Sequence, residues 1–316
     1  MKHRSFLLSV IAFSFFLSPA RAEVLWVDGV SLSGGWYDAN KVNPYAEDGD
    51  NNLCWAASAA NLIAWWQDKY QVPSGTPTDI DSIWSTYKSG ANADTGGDTH
   101  AALQWWLTGV YVPLNSEEED RSIFAKSDTS TLTAWEGYYY DLYGEEMYGS
   151  FNFRTWSWEN DLWDFFCGDY RNEVSTDNII SLIAGGCGMG LAITNDSGSL
   201  GHAITLWGLE YDSETNSISR MWLTDSDDAQ YSELYNWFEQ DGLFSVDVES
   251  RDDKLYISTS DNNGYAKEDN IYISNLFAVN PAVSDVWGIP RAIPEPASAT
   301  LSLLALAGIT ARRRRK

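Results

Sequence analysis

Three cysteines and three histidines are all that this 316-residue chain offers for thiol and imidazole chemistry. Cys54 heads the segment Cys54-Trp55-Ala56-Ala57-Ser58-Ala59-Ala60-Asn61-Leu62-Ile63-Ala64-Trp65-Trp66-Gln67, which has the composition of a buried helix. At a helix start the unpaired backbone N–H groups and the helix dipole favour thiolate over thiol. A thiolate nucleophile needs a base or an imidazolium beside it. His202 opens the strand-like run Gly201-His202-Ala203-Ile204-Thr205-Leu206-Trp207-Gly208. A carboxylate or amide must then orient the imidazole. The next strand-like run ends in Leu223-Thr224-Asp225-Ser226-Asp227-Asp228, so an adjacent strand could set Asp225 or Asp227 against His202.

Taken singly, each residue has a plainer role. A Cys before an Ala-rich helix is commonly a small core residue. A lone strand His is commonly a satisfied structural one. An Asp run after a strand is a solvated turn, or a Ca²⁺ loop; this one lacks the Gly of an EF-hand loop. Order and spacing together favour chemistry. His202 follows Cys54 by 148 positions, inside the 130–150-residue interval between nucleophile and base in papain-like enzymes. His3 falls in an N-terminal export segment. His100 precedes a helical run and reads as structural or groove-lining. Cys167 and Cys187 either pair in an exported protein, leaving Cys54 free, or stay as two core thiols.

The elements that must position these residues follow from pattern. Ala-rich 54–67 predicts a helix capped by Asn51 or Asn52. Further helices are expected at 80–87 behind Thr78-Asp79, at 100–107 behind Asp98-Thr99, at 159–166, and at 178–184 behind Asp177. Residues 23–53, rich in Gly, Asn and Asp, read as irregular. Strands are expected at 189–194, 202–211, 217–224, 254–259 and 270–278. Helices first and strands after them mean an α+β protein rather than alternating βαβ units. No GxxxxGK[ST] or GxGxxG motif is present, so nothing suggests a nucleotide site.

Both ends read as addresses. Residues 1–22 combine a charged start, an apolar run and Ala20-Arg21-Ala22, the pattern of a secretory signal peptide. Residues 294–316 combine Pro294-Glu295-Pro296, a short apolar run and Arg312-Arg313-Arg314-Arg315-Lys316. That arrangement resembles the PEP-CTERM sorting signal of exported Gram-negative bacterial proteins. The resemblance implies transient membrane association and processing by an exosortase-type enzyme; a plain C-terminal anchor is the alternative. The body at 23–293 holds 12 basic against 44 acidic residues, a net charge near −32, compared with −25 for the whole chain. Such a body argues against nucleic acid as a partner. Three cysteines exclude a disulfide scaffold or a Cys₄ zinc site, and no cofactor is expected.

Three separated blocks carry a closer resemblance. Gly35-Trp36-Tyr37-Asp38-Ala39-Asn40-Lys41 with Leu53 to Trp66, then Gly201 to Asp212, then Leu223-Thr224-Asp225-Ser226-Asp227, resemble the IdeS/Mac family of immunoglobulin-G-degrading cysteine endopeptidases. The resemblance implies a papain-like fold, with a helix-rich N-terminal half packed on a β-rich C-terminal half and the active site between them. It implies Cys54 as nucleophile, His202 as base and later acid, Asp225 as the group orienting the imidazole and Asp227 as a second carboxylate. It also implies that Lys41, otherwise read as a surface lysine, helps to form the oxyanion hole. A protein substrate, with immunoglobulin as one candidate, follows from the same source. Trp55 departs from the family's Gly and is expected to reshape the groove beside the nucleophile. Two rival readings stand beside this one. The first is amide hydrolase or transferase chemistry on the same residues. The second is a non-enzymatic binding module built on the 16 tryptophans.

Overall fold

The computed structural model describes residues 22–41, 50, 52–90, 96–97, 99–108, 138, 166–169, 174–198, 200–227, 242–258 and 270–279. The expected signal peptide before Ala22, the sorting segment 294–316 and all but the last residue of the expected helix 159–166 lie outside them. Phe166 itself begins a strand.

The chain runs β1 (Ala22–Trp26), α1 (Cys54–Gln67), α2 (Ile80–Gly90), α3 (Thr99–Thr108), β2 (Phe166–Asp169), α4 (Thr176–Ala184), β3 (Gly188–Thr194), β4 (Gly201–Asp212), β5 (Ser217–Thr224), β6 (Phe244–Arg251), β7 (Lys254–Ser258) and β8 (Tyr272–Val279). All strand pairs are antiparallel. The sheet order is β1-β4-β3-β8-β7-β6-β5, and β4 also pairs with β5. That extra pairing closes β3 to β8 into a six-stranded ring. The molecule is therefore α+β, with helices laid against a closed antiparallel sheet.

Two apolar clusters follow from this layout. One fills the ring with Met189, Leu191, Ile204, Leu206, Met221, Leu223, Val246, Ile257 and Leu276, and Ile179 and Ile183 of α4 join it. The other lies outside the ring, where α1 packs between α2, α3 and the β3–β4 face, with Ala203 and Trp207 contributed by β4. Alternation along β4 serves both clusters: Ile204 and Leu206 face one, Ala203 and Trp207 the other.

α1 is buried at every residue from Trp55 to Gln67, as its all-round apolar sequence requires. It can lie this close to β3 because of a glycine. A Cβ on Gly188 would meet the Trp65 ring at 2.7 Å. We expect Gly188→Ala to force α1 outward and to cost about 1–3 kcal/mol. Urea unfolding checks this, as a lowered midpoint at unchanged slope.

Several local expectations are corrected. β1 occupies the start of the stretch read as irregular, because Val24-Leu25-Trp26 find β4 as a partner. The N-cap of α1 is Leu53, not Asn51 or Asn52, and no side chain caps it. α4 is capped by Ser175, whose hydroxyl accepts from the Asn178 N–H at 3.2 Å, while Asp177 sits in the first turn. β6 was not expected, although Phe244, Val246 and Val248 alternate with Ser245, Asp247 and Glu249 at the period of a half-buried strand. The expected capped start of α2 is present: the Asp79 carboxylate accepts from the Ser82 N–H at 2.9 Å.

Candidate active site

The start of α1, the start of β4, the end of β5 and the 37–41 segment converge. Cys54 is the first residue of α1, His202 the second of β4, and Asp225 immediately follows β5. β4 and β5 are neighbours, with Thr205 opposite Thr224. This pairing delivers the Asp next to the His: His202 Nε2–H donates to Asp225 Oδ1 at 2.7 Å. Asp225 is 1% exposed, so its charge needs that partner. Its Oδ1 also accepts from the Asp227 N–H at 2.9 Å. With Nε2 so engaged, Nδ1 is the ring nitrogen left for the thiol. The Cys54 thiol lies close enough to His202, Lys41 and the backbone N–H of Ala203 for each to act on its ionisation.

Lys41, read from its own neighbourhood as a surface residue, is buried at 2% exposure. Its Nζ lies 2.5 Å from Asp227 Oδ1, and its backbone N–H donates to the Ser226 carbonyl at 2.8 Å. Asp227 Oδ2 is 3.9 Å from His202 Nδ1. The carboxylate thus stands between the ammonium and the imidazole. All five candidate residues, Lys41, Cys54, His202, Asp225 and Asp227, therefore belong to one cluster.

Electrostatics divide the proton between thiol and imidazole. Burial pushes the Cys54 thiol up, but the His202 charge and hydrogen bond, the Lys41 charge and the Ala203 N–H outweigh it and leave the thiol lowered. Burial pushes His202 down, but Asp225 and the Cys54 thiolate outweigh it and leave the imidazole well above its ordinary value. Both shifts act toward the ion pair, thiolate beside imidazolium. We expect a bell-shaped dependence of kcat/KM on pH for any reaction run by this pair. The rate rises with pH through the lowered thiol ionisation and falls as the raised imidazolium ionisation is passed. Both limbs belong to the pair rather than to either group. Steady-state rates across pH with a cleaved peptide check it.

His202, Asp225 and Asp227 also bring ligand atoms within 4.8 Å of one another, the described group whose spacing would suit a metal ion. Lys41 already supplies a cation to Asp227 there. The remaining candidates fall elsewhere. His100 lies half-buried in the first turn of α3. Cys187 is disulfide-bonded and Cys54 is a free thiol; the sequence holds one further cysteine, Cys167, on β2. Trp55 does not line a groove. It is 2% exposed, and a Cβ on Gly97 would meet its ring at 2.3 Å, so the Gly97 backbone lies over it. Sequence reasoning missed the polar residues that tie the converging segments together, Asn61, Thr205 and Thr224. A buried Asn in a helix that is mostly apolar was the signal for them.

Fold and site together define an α+β protein in which a half-buried free thiol lies beside a histidine–carboxylate pair. Comparison with known proteins points the same way. A family model described as Mac 1 matches residues 24–74, a span that includes Lys41 and Cys54. A protein named IgM protease from Streptococcus suis (strain P1/7) is 22% identical over 220 residues, covering 62% of this chain. The match spans only 18% of that curated relative's own length. Both findings support the IdeS/Mac family resemblance and a protease-like function.

Proposed function

We propose that this chain is an exported, papain-like cysteine endopeptidase acting on a protein substrate. The observation that carries this reading is the Cys54 thiol, lowered against a His202 imidazole whose far nitrogen is held by Asp225 at 2.7 Å. In the proposed reaction the Cys54 thiolate attacks the scissile carbonyl carbon. His202 gives its proton to the leaving amine, and the acyl group remains on sulfur as a thioester. His202 then takes a proton from water, whose oxygen attacks the thioester and releases the acid and the thiol. Asp225 keeps the imidazole oriented and its cation stabilised. Lys41, with the Cys54 backbone N–H, supplies positive charge to the developing oxyanion.

Export accords with a disulfide at Cys187. We assign residues 1–22 to a signal peptide and 294–316 to a PEP-CTERM-type segment that holds the protein at the membrane until an exosortase-type enzyme acts. Immunoglobulins are the first substrates to test, since the S. suis relative bears the name IgM protease. A surface built on exposed tryptophans has less support: Trp55, Trp65, Trp66, Trp84, Trp106 and Trp207 are all core residues.

Cleavage-site mapping on a protein mixture containing immunoglobulins tests the proposal. New peptide termini that appear with the wild type and not with Cys54→Ala support it. Identical termini from both proteins refute it. If added amines capture the acyl group in place of water, transferase chemistry is the better description.

A further inference from the structure

Apart from Asn61, Ser58 and Gln67, the buried residues of α1 are apolar or aromatic. Asn61 is 2% exposed and spends its whole amide on three different segments. Its Oδ1 accepts from the Ala39 N–H at 2.8 Å. Its Nδ2 donates to Thr205 Oγ1 at 3.1 Å and to Thr224 Oγ1 at 3.4 Å. Each contact sits next to a residue of the site. Ala39 is two positions before Lys41. Thr205 is three positions past His202 on β4. Thr224 directly precedes Asp225. Asn61 itself stands about two helical turns from Cys54 on α1.

Thr224 closes the circuit. Its hydroxyl donates to the Tyr37 carbonyl at 2.9 Å and accepts from Trp207 Nε1–H at 2.8 Å. The segment from Tyr37 to Lys41 is thus pinned at Tyr37 from β5 and at Ala39 from α1. Further pins come from Trp84 Nε1–H, which donates to the Asn40 carbonyl at 3.0 Å, and from the bond of the Lys41 N–H to Ser226. Asn61 bonds the segment, β4 and β5 from α1, while Thr224 joins the segment and β4 from β5. Asn suits the place because one short planar group holds an acceptor and two donors; Asp lacks the donors and Leu lacks both.

We infer that Asn61 is a positioning residue, whose amide fixes the 37–41 segment against α1, β4 and β5 so that Lys41 stands beside Cys54 and Asp227. The inference rests on the cysteine-peptidase reading above. Asn61 acts through Lys41 and has no part in bond making. Without it the Trp84, Ser226 and Thr224 contacts still hold the segment, so the loss falls on where the ammonium stands.

The test uses the full chain. It reads the rate of Cys54 alkylation by iodoacetamide against pH, mapped to the peptide by mass, together with kcat and KM on a cleaved peptide. In Asn61→Leu the midpoint pH of alkylation rises toward that of Lys41→Met. kcat falls about 10- to 100-fold at little-changed KM, the penalty for a misplaced group. The double variant is no worse than Lys41→Met alone. Thr224→Val, a near-isosteric change, gives a smaller shift of the same sign, and it carries the test if Asn61→Leu does not fold. Midpoints at the wild-type position in folded variants, judged by near-UV circular dichroism, overturn the inference. So do effects of Asn61→Leu and Lys41→Met that simply add. A wild-type midpoint no lower than that of a free thiol overturns instead the reading on which the inference stands.

Discussion

Replacing Cys54 with Ala is expected to remove peptide hydrolysis by about 10⁵- to 10⁶-fold in kcat, leaving only what binding and the oxyanion donors achieve without a nucleophile. Cys54 is the free thiol of the described chain, and it is the one lowered by an imidazolium, a lysine and a backbone N–H. The variant should fold, because Ala at the first position of an Ala-rich helix removes a sulfur and adds no bulk. Unchanged near-UV circular dichroism alongside lost turnover is the expected pair of results. Cys54→Ser should fare little better. A hydroxyl in this site stays protonated where the thiol ionises, and the helix terminus and His202 are matched to a thiolate.

His202→Ala is expected to cost nearly as much, on the order of 10⁴- to 10⁶-fold, and its effect should not add to that of Cys54→Ala. Two consequences separate this loss from simple misfolding. First, the influences that lower the Cys54 thiol begin with the charge and hydrogen bond of His202. Removing them leaves burial dominant, so the thiol ionises at higher pH and iodoacetamide labelling of Cys54 slows at neutral pH. Second, Asp225, at 1% exposure, loses the Nε2–H donor that faces it at 2.7 Å. A buried carboxylate that loses this partner is costly, so His202→Ala should also lower stability, by about 3–5 kcal/mol if the charge stays uncompensated. Urea unfolding of the single variant beside His202→Ala/Asp225→Ala checks this. The double variant is expected to recover part of the loss.

How far the sequence reveals this site depends on what each residue does. Cys54, His202 and Asp225 are legible because the chain has so few thiols and imidazoles, and because each sits at an element boundary that pattern marks: the head of an Ala-rich helix, the start of a strand, the end of the next. The adjacency of β4 and β5 follows from their short connection. Lys41 is different. Nothing in its own surroundings sets it apart from a solvated lysine, and only the family resemblance drew attention to it. Its burial arises from the Ser226, Trp84 and Asn61 contacts, which join residues far apart in sequence. β6 carries the alternation of a half-buried strand and was legible, whereas β1 was illegible for a related reason. Short edge strands gain their stability from a partner strand rather than from their own composition. The ring is likewise closed by a long-range pairing, β3 with β8, whose residues lie some eighty positions apart.

Trp55 shows the opposite case, where a residue invites a role that packing denies it. Next to a nucleophile, a large aromatic suggests a groove wall. Its helical position turns it inward instead, beneath Gly97. Any change of specificity relative to similar proteins is therefore expected to come through the backbone over that ring rather than from direct contact with the indole.

The central step of the proposed reaction is the passage of an acyl group through Cys54. Acid quench during turnover of an activated ester or slowly deacylating peptide, followed by intact-mass and peptide mapping, tests this. A thioester adduct on the Cys54 peptide in the wild type, with none in Cys54→Ala, is the predicted result. Turnover with no adduct at Cys54, or an acyl adduct elsewhere that survives Cys54→Ala, contradicts it.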